Sequence, residues 1–324
     1  MAETFEAMRE GGTGPDTIWL DGEFVDWADA QVHVLTHALH YGTAVFEGVR
    51  CYDTEAGPAI FRWEDHLERF SASARALGIE VPYDRAALTT AATGLIARAD
   101  LGACYLRPLA FYGYGRLGVD PDGNPARTTI AAWPWGTYLG EDALTEGIEV
   151  AVSSWRRYAG EAIPTTVKAT GPYVNGALAS REARANGYDE ALLLNAAGRV
   201  AEGPGENLFL VRDGELYTPG LAEDVLSGIT RESVVRLARD LGYAVHDDAS
   251  IGRGELYTAD ELFFTGTAAE VTPIASVDDV PVGEGGRGPI TGEVQSRFFD
   301  VVSGRAPGYD DWFTPVEAAG ATNR

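Results

Sequence analysis

Within thirty residues the chain carries four short apolar runs, EALLLN (190–195), GRVAE (198–202), NLFLVR (207–212) and ELYTP (215–219). Each is separated from the next by a tight turn, Asp213-Gly214 being the clearest, and runs of this length so bounded read as strands. The rest of the chain is built around this commitment to sheet. TIWLDGEFVDW (17–27) predicts a hairpin on Asp21-Gly22, HVLTHALHYGTAVFEGVRCY (33–52) buried strand and loop, and GPAIF (57–61) a further strand. RWEDHLERFSASARALG (62–78) reads as an amphipathic helix, with Leu67, Phe70, Ala74 and Leu77 on one face and Gly78 as its stop. Asp84 is placed to cap a second helix running to about Ala99. Strand-like ACYLRPLAFYGYG (103–115) and RTTIAAWPW (127–135) follow, and GTYLGEDALTEG (136–147) has the composition of a linker.

After the linker come a strand, IEVAVSSWRR (148–157), a helix from Pro172 to near Gly187, and the four runs above. ITRESVVRLARDLG (229–242) is amphipathic, ELFFTGTAAEVTPIASV (261–277) gives two strands broken at Thr265-Gly266-Thr267, and ITGEVQSRFFDVVSG (290–304) is a last helix. The class is therefore α+β in two domains. A small N-terminal α/β domain occupies 1–139, a linker 140–147, and a larger C-terminal domain 148–324, with a polar tail after about residue 307.

A formal charge of −24 argues against nucleic acid, whose binding needs a basic surface, and against adhesion to anionic membranes. Aspartate and glutamate in excess with almost no lysine suit a saline cytoplasm, although a GC-rich genome trading Lys for Arg leaves the same trace. Two cysteines, Cys51 and Cys104, are too few for a disulfide framework or a thiolate metal site. No stretch approaches the 18 or so apolar residues of a membrane span, no signal peptide is apparent, and the expected location is cytoplasmic.

The chain has 24 arginines and one lysine, Lys168. Arginine can replace lysine as a surface charge. It cannot replace an amine that must lose its proton, attack a carbonyl and carry a Schiff base. If Lys168 does that, the obvious cofactor is pyridoxal 5'-phosphate, which also demands a partner for its pyridine nitrogen and a site for its phosphate. Glu202, at a strand end before a glycine-rich turn, offers the first, although such a glutamate can equally be an ordinary hairpin end. Ser227-Gly228-Ile229-Thr230 opens a helix, where free N–H groups and the helix dipole suit a dianion; Thr230 reads equally as a cap. Gly266-Thr267-Ala268 could close on the same phosphate, and Arg62 could add a cation.

The segments ALHYGTAVFEGVRCY (38–52), FRWEDHLERF (61–70), YLRPLAF (105–111), VKATGPY (167–173), EARANGYDEALLLNAAGRVAEGPGENLF (182–209), LSGITR (226–231) and GTAAEVTPI (266–274) strongly resemble branched-chain amino acid aminotransferases. These are fold-type IV pyridoxal phosphate enzymes, and the resemblance runs from about residue 15 to 304 in unbroken order. It implies a D-amino acid aminotransferase-like architecture, with a small α/β domain and a larger pseudo-barrel domain.

The resemblance further implies that Lys168 is the Schiff-base lysine and catalytic acid/base. Tyr173 matches the tyrosine on the cofactor phenolate oxygen and Glu202 the carboxylate on the pyridine nitrogen. Arg62, Ile229, Thr230 and Thr267 match the phosphate cup, and Leu226 the residue packed on the ring. Tyr41, Phe46, Gly48, Arg50, Tyr105, Arg107, Val119, Tyr138 and Ala268 fall at substrate-pocket positions. That pocket must take an aliphatic side chain, for which aromatic walls suit, and also the carboxylate of glutamate, for which Arg107 beside Tyr105 suits. The implied reaction is a ping-pong exchange with amino acids and 2-oxo acids as small-molecule partners.

D-amino acid aminotransferases and aminodeoxychorismate lyases share the lysine, the glutamate and the phosphate turn, but YGTAVFEGVR, YLRPL and GTAAEVTP favour the branched-chain group. A metal site at His37, His40 and Glu47 is not supported, because the local pattern reads as strand and loop without further ligands. Relatives are homodimers or hexamers of dimers. By resemblance, the regions of Tyr41 and Val119 serve the partner's pocket.

Overall fold

Asp21 and Gly22 turn the first hairpin with positive φ at both residues, 49° and 96°, the geometry that matches the twist of two paired strands. They join β1 (Thr17–Leu20) to β2 (Glu23–Asp26) in antiparallel register. The structure is a computed structural model and describes residues 16–136 and 142–317. The described chain falls into two compact units. Residues 16–136, 167–171 and 301–317 form the first, and residues 142–166 and 172–300 the second.

In the first unit, β3 (Ala44–Phe46), β4 (Val49–Thr54), β5 (Gly57–Phe61), β6 (Cys104–Tyr112) and β7 (Ala126–Pro134) join the hairpin. The sheet order is β16-β5-β4-β6-β7-β1-β2, where β16 is Phe313–Pro315, and β3 pairs with β6. A short α1 (His37–Tyr41) precedes β3, and α2 (Trp63–Ala76) and α3 (Arg85–Arg98) follow β5. The predicted cap is present: the Asp84 side chain accepts the Ala87 N–H at 2.8 Å. Trp63, Leu67, Phe70 and Ala74 of α2 and Leu88, Ala92, Leu95 and Ile96 of α3 bury against Val49, Ile60, Leu106 and Ile130 of the sheet. This apolar face is what fixes α2, and with it the polar residues α2 carries.

Three expectations change here. Residues 33–52 were expected as strand and loop, and α1 lies among them, closed by Gly42 at φ 65°. A Cβ on Gly42 would stand 2.7 Å from Gly171 Cα, so the glycine serves both the left-handed turn and the close approach. Second, residues 167–171 belong with the first unit rather than with a continuous C-terminal domain. Phe46 N donates to Lys168 O at 3.1 Å and Thr170 N to Ala44 O at 2.9 Å, which stitches the lysine segment alongside β3. Third, the polar tail is not featureless, because β16 pairs with β5 and the Trp312 ring packs on Phe61 at 5.7 Å.

The second unit holds β8 (Ile148–Arg156), β9 (Glu190–Leu194), β10 (Asn207–Arg212), β11 (Glu215–Pro219), β12 (Val245–Ala249), β13 (Glu261–Gly266), β14 (Glu270–Val277) and β15 (Val280–Pro281). Their order is β12-β11-β10-β13-β14-β8-β9, with β15 on β14. Pairing is parallel at β11–β12, β14–β8 and β8–β9, and antiparallel elsewhere. This is the sheet expected as a pseudo-barrel; β12 and β9 are not hydrogen-bonded to each other among the described residues. The helices are α4 (Ala143–Glu146), α5 (Tyr173–Ala185), α6 (Ile229–Asp240), α7 (Arg253–Leu256) and α8 (Pro289–Val302). The linker therefore contains a helical turn, α4. GRVAE (198–202) is not a strand: it makes only isolated bridges, Leu194↔Val200, Arg199↔Gly252 and Glu202↔Asn207. No described helix is long and apolar enough to cross a membrane.

Phe70 is 1% exposed at the centre of the α2–sheet contact. Phe70→Ala is expected to cost about 3–5 kcal/mol, read as a lower denaturation midpoint. An unchanged midpoint would contradict the packing described.

Candidate active site

On α2, His66, Arg69 and Ser73 lie three and four residues apart and so share one face. The Ser73 hydroxyl accepts the Lys168 backbone N–H at 3.1 Å. Glu47, between β3 and β4, is pinned by its own N–H to Pro108 O at 2.9 Å. Its carboxylate accepts Arg69 Nε at 2.7 Å, Arg69 Nη2 at 2.7 Å and His66 Nδ1 at 2.8 Å. Burial acts to raise the Glu47 pKa, but the Arg69 charge and these hydrogen bonds outweigh it and hold the carboxyl well below the usual carboxylate range. Burial pushes His66 down against the pull of Glu47, so at neutral pH it is a neutral imidazole donating through Nδ1.

The Lys168 amine lies in this field. Its pKa is brought down to about 8, first by burial and then by Arg69, with Arg107 adding to the fall and Glu47 and Tyr105 opposing it. Nζ lies 5.2 Å from the centre of the Phe46 ring. Tyr105 and Arg107, two apart on β6, project to the same side of the sheet. The Arg107 guanidinium sits 4.8 Å from the Phe46 ring centre and 5.4 Å from that of Tyr105. It reaches the Tyr105 hydroxyl at 3.5 Å, and its buried Nε has no hydrogen-bond partner among the described residues. Gly48 is required beside them, since a Cβ there would fall 1.9 Å from the Tyr105 hydroxyl. Arg50 pairs with Tyr105 across β4–β6 and donates to Gly136 O at 3.1 Å.

The first unit thus gathers Lys168, Phe46, Gly48, Arg50, Tyr105 and Arg107. Arg62 sits at the start of α2 with φ 52°, donates Nε to Asp65 at 2.5 Å and lies over Trp312 at 4.9 Å. Arg69, two helical turns further on, acts on the Lys168 amine with its charge, as Arg107 does. Tyr41 and Val119 lie on the surface of this unit, Val119 being 82% exposed. His37 ties their segments together through Nε2 and Gly118 O at 2.7 Å and holds Thr43 through Nδ1 at 2.8 Å, a structural role. His40 meets Val34 O at 2.9 Å. Tyr138 lies outside the described residues. Among them no group of three His, Cys, Asp or Glu residues could hold a metal.

In the second unit Glu202 is 5% exposed. One carboxylate oxygen meets Arg157 Nη2 at 2.6 Å. The other accepts Asn207 Nδ2 and the Leu226 N–H, both at 2.9 Å. Asn207 Nδ2 also donates to Leu226 O at 3.0 Å, which ties the Glu202 turn to the segment leading into α6. Gly228 precedes α6, and a Cβ there would stand 1.9 Å from Asn207 Oδ1, so only glycine fits. Ile229 and Thr230 open α6, whose first N–H groups have no partner within the helix. Asn207 pairs with Thr265 across β10–β13. The turn carrying Thr267 and Ala268 continues from there, with Gly266 close against Gly205 O. Tyr173 starts α5 directly after Pro172.

Residues 44–277 match the family model described as amino-transferase class IV. The chain belongs to that family. It is 46% identical over 306 residues, 94% of this chain and 98% of the other, to the branched-chain-amino-acid aminotransferase of Salmonella typhimurium. The crystal structure of the Escherichia coli branched-chain amino acid aminotransferase superposes with TM-score 0.91 at 45% identity, covering 94% of this chain and 100% of that one. A Thermobaculum terrenum branched-chain amino acid aminotransferase in its PLP-form gives 0.88 at 36% identity, covering 94% and 99%.

The class IV aminotransferase fold is thus confirmed, and the donor set fits its cofactor. The first unit offers an amine of depressed pKa with a cation beside it. The second offers a buried carboxylate and, one side chain away, a glycine-led helix start suited to a phosphate. Reading the residues alone missed Arg69, Arg157 and Asn207. Arg69 lies three residues after His66 and four before Ser73, the helical spacing that puts the three on one face, whereas nothing local distinguishes Arg157 within WRR.

With a single lysine, protein labelled with carbon-13 at the lysine ε position and freed of cofactor should show one side-chain resonance. It is expected to titrate with a midpoint near 8. A midpoint above about 10, the value of an unperturbed amine, would contradict the site electrostatics.

Proposed function

We propose that this protein is a pyridoxal phosphate-dependent aminotransferase that passes the amino group of leucine, isoleucine or valine to 2-oxoglutarate. The observation that carries the reading is the setting of the only lysine, an amine titrating near 8 beside Arg69, Phe46 and Arg107. Relatives such as that of Salmonella typhimurium carry this activity in their names over almost their whole length.

When bound, the cofactor supplies a carbonyl that joins the Lys168 amine and a ring that draws electrons from the substrate α-carbon. Lys168 takes the substrate Cα proton and returns it, for which the amine must be neutral. A pKa near 8 leaves roughly a tenth of it so at pH 7, hundreds of times more than an ordinary lysine. Glu202, held by Arg157, Asn207 and Leu226 N–H, keeps a proton on the pyridine nitrogen. Tyr173 serves the phenolic oxygen and Leu226 the ring face. Ile229, Thr230 and Thr267 give the phosphate N–H and hydroxyl donors, and Arg62, by resemblance, gives it a cation.

Phe46 and Tyr105 form apolar walls for an aliphatic side chain, with Gly48 leaving room, and Ala268 is a pocket residue by resemblance. Arg107, its Nε without a partner among the described residues, receives the distal carboxylate of glutamate. Arg50 orders the wall behind Tyr105, and Tyr138 belongs to the same pocket by resemblance.

The working form we propose is a homodimer or a hexamer of dimers. Val32, Val34, Leu35, Leu39, Tyr41, Tyr114, Leu117 and Val119 are all exposed on the first unit, an apolar concentration that suits a second copy of the chain. A cytoplasmic location fits Cys51 and Cys104, which face each other across β4–β6 as free thiols. The net charge of −24 suits a saline one.

Purified protein should carry a near-visible cofactor band that leucine bleaches and 2-oxoglutarate restores. Lys168→Ala should abolish turnover. Arg107→Gln should slow the glutamate half-reaction by about ten-fold or more while changing the leucine half-reaction far less. A wild type without the chromophore, or equal loss with both substrates in Arg107→Gln, would overturn the assignment concerned.

A further inference from the structure

Arg107 differs from the other inward-lying arginines in what it faces. Arg69 meets Glu47, Arg157 meets Glu202 and Arg62 meets Asp65. Arg107 meets no carboxylate among the described residues, although the chain has 49 acidic residues against 25 basic ones. Rings surround it instead. Its guanidinium lies 4.8 Å from the centre of Phe46, 5.4 Å from that of Tyr105 and 6.0 Å from that of Trp133. A ring face attracts a cation at such distances without neutralising it or occupying its N–H groups. Strand register builds this arrangement. Trp133 stands opposite Tyr105 across β6–β7, and Ala131 opposite Arg107, so all four side chains share one face of the sheet. Trp133 is buried, with its ring 5.2 Å from that of Tyr105, while the small Ala131 leaves the space beside Arg107 open. That space is a cavity of about 430 Å³ in which Arg107 is the one charged residue among the described residues that line it, with Leu109, Phe111 and Ala131 as apolar neighbours.

We propose that Trp133 is a specificity-determining positioning residue, which with Phe46 and Tyr105 cradles the Arg107 guanidinium so that it stays charged and open to an incoming dicarboxylate. The inference rests on the aminotransferase reading above, in which one pocket takes both glutamate and an aliphatic amino acid. A protein carboxylate on Arg107 would hold it more firmly, but the distal carboxylate of glutamate would then have to displace it. Ring faces hold the cation and leave its N–H groups free. An aliphatic side chain brings no anion, and the rings then keep the guanidinium from being stranded in an apolar cavity. Trp133 supplies the indole, the ring type with the strongest attraction for a cation, and also backs the Tyr105 ring.

The test titrates the holoenzyme calorimetrically with two unreactive ligands, glutarate, which carries a second carboxylate, and 4-methylvalerate, which carries an aliphatic end instead. Trp133→Leu, which keeps apolar bulk but removes the ring, should weaken glutarate by about five-fold or more and leave 4-methylvalerate within about two-fold. Trp133→Phe, which restores a ring, should retain the wild-type ratio of the two affinities. In an Arg107→Gln background, Trp133→Leu should add no further loss for glutarate. If Trp133→Leu does not fold, Trp133→Met is read in its place with the same expectation. Equal weakening of both ligands, weakening of neither, or identical behaviour of the Leu and Phe variants would each overturn the proposal. A wild type that binds 4-methylvalerate but not glutarate would instead overturn the assignment of Arg107, and one that binds neither would overturn the aminotransferase reading itself.

Discussion

The proton affinity of the Lys168 amine is set by a contest between burial and two arginines on one side and a glutamate and a tyrosine on the other. Burial alone would leave an amine whose pKa followed whatever solvent reached it. Fixed charges at fixed distances make the value a property of the fold. Every contributor sits on an element tied to the apolar core of the first unit. Arg69 and His66 ride on α2, whose other face buries Leu67 and Phe70. Tyr105 and Arg107 ride on β6, and Glu47 is bonded to the same strand. Core packing is therefore what tunes the amine.

The second unit repeats the device at its own carboxylate. Glu202 faces Arg157 as Glu47 faces Arg69, and in each case a neutral side-chain donor, Asn207 or His66, completes the set. A buried carboxylate so saturated has little freedom to move. Asn207 also explains a glycine: Gly228 cannot carry a Cβ without striking its amide, so the carboxylate and the helix start form one arrangement within that unit. Glutamate–arginine pairs are available to a chain that retains almost no lysine, and guanidinium gives the two-pronged geometry that an ammonium does not.

Local patterns carried most of the element-level information. Asp21-Gly22, the Asp84 cap and the 3.6-residue spacing of Leu67, Phe70 and Ala74 are short-range signals, and the structure has all three. Long-range partnerships were not legible in the same way. The pairing of β16 with β5 and the return of residues 167–171 to β3 depend on strands far apart in the chain, and no local pattern encodes them. GRVAE has strand composition, but only isolated bridges form, because the chain there must turn to deliver Glu202. Lys168 and Glu202 stood out through residue type, the first because no other lysine exists. Arg62 stood out because it ends a strand. In three dimensions it meets Asp65 and lies over Trp312, and Arg69, which no local signal marked, is the arginine whose charge acts on the amine.

The central claim is that one amine, Lys168, carries the cofactor. Borohydride reduction of the holoenzyme, followed by proteolysis and mass spectrometry, tests it most directly, since reduction makes the link permanent at whichever nitrogen holds it. The account predicts a phosphopyridoxyl group on the peptide containing Lys168 and on no other. A protein that retains its cofactor yet yields that peptide unmodified would contradict it.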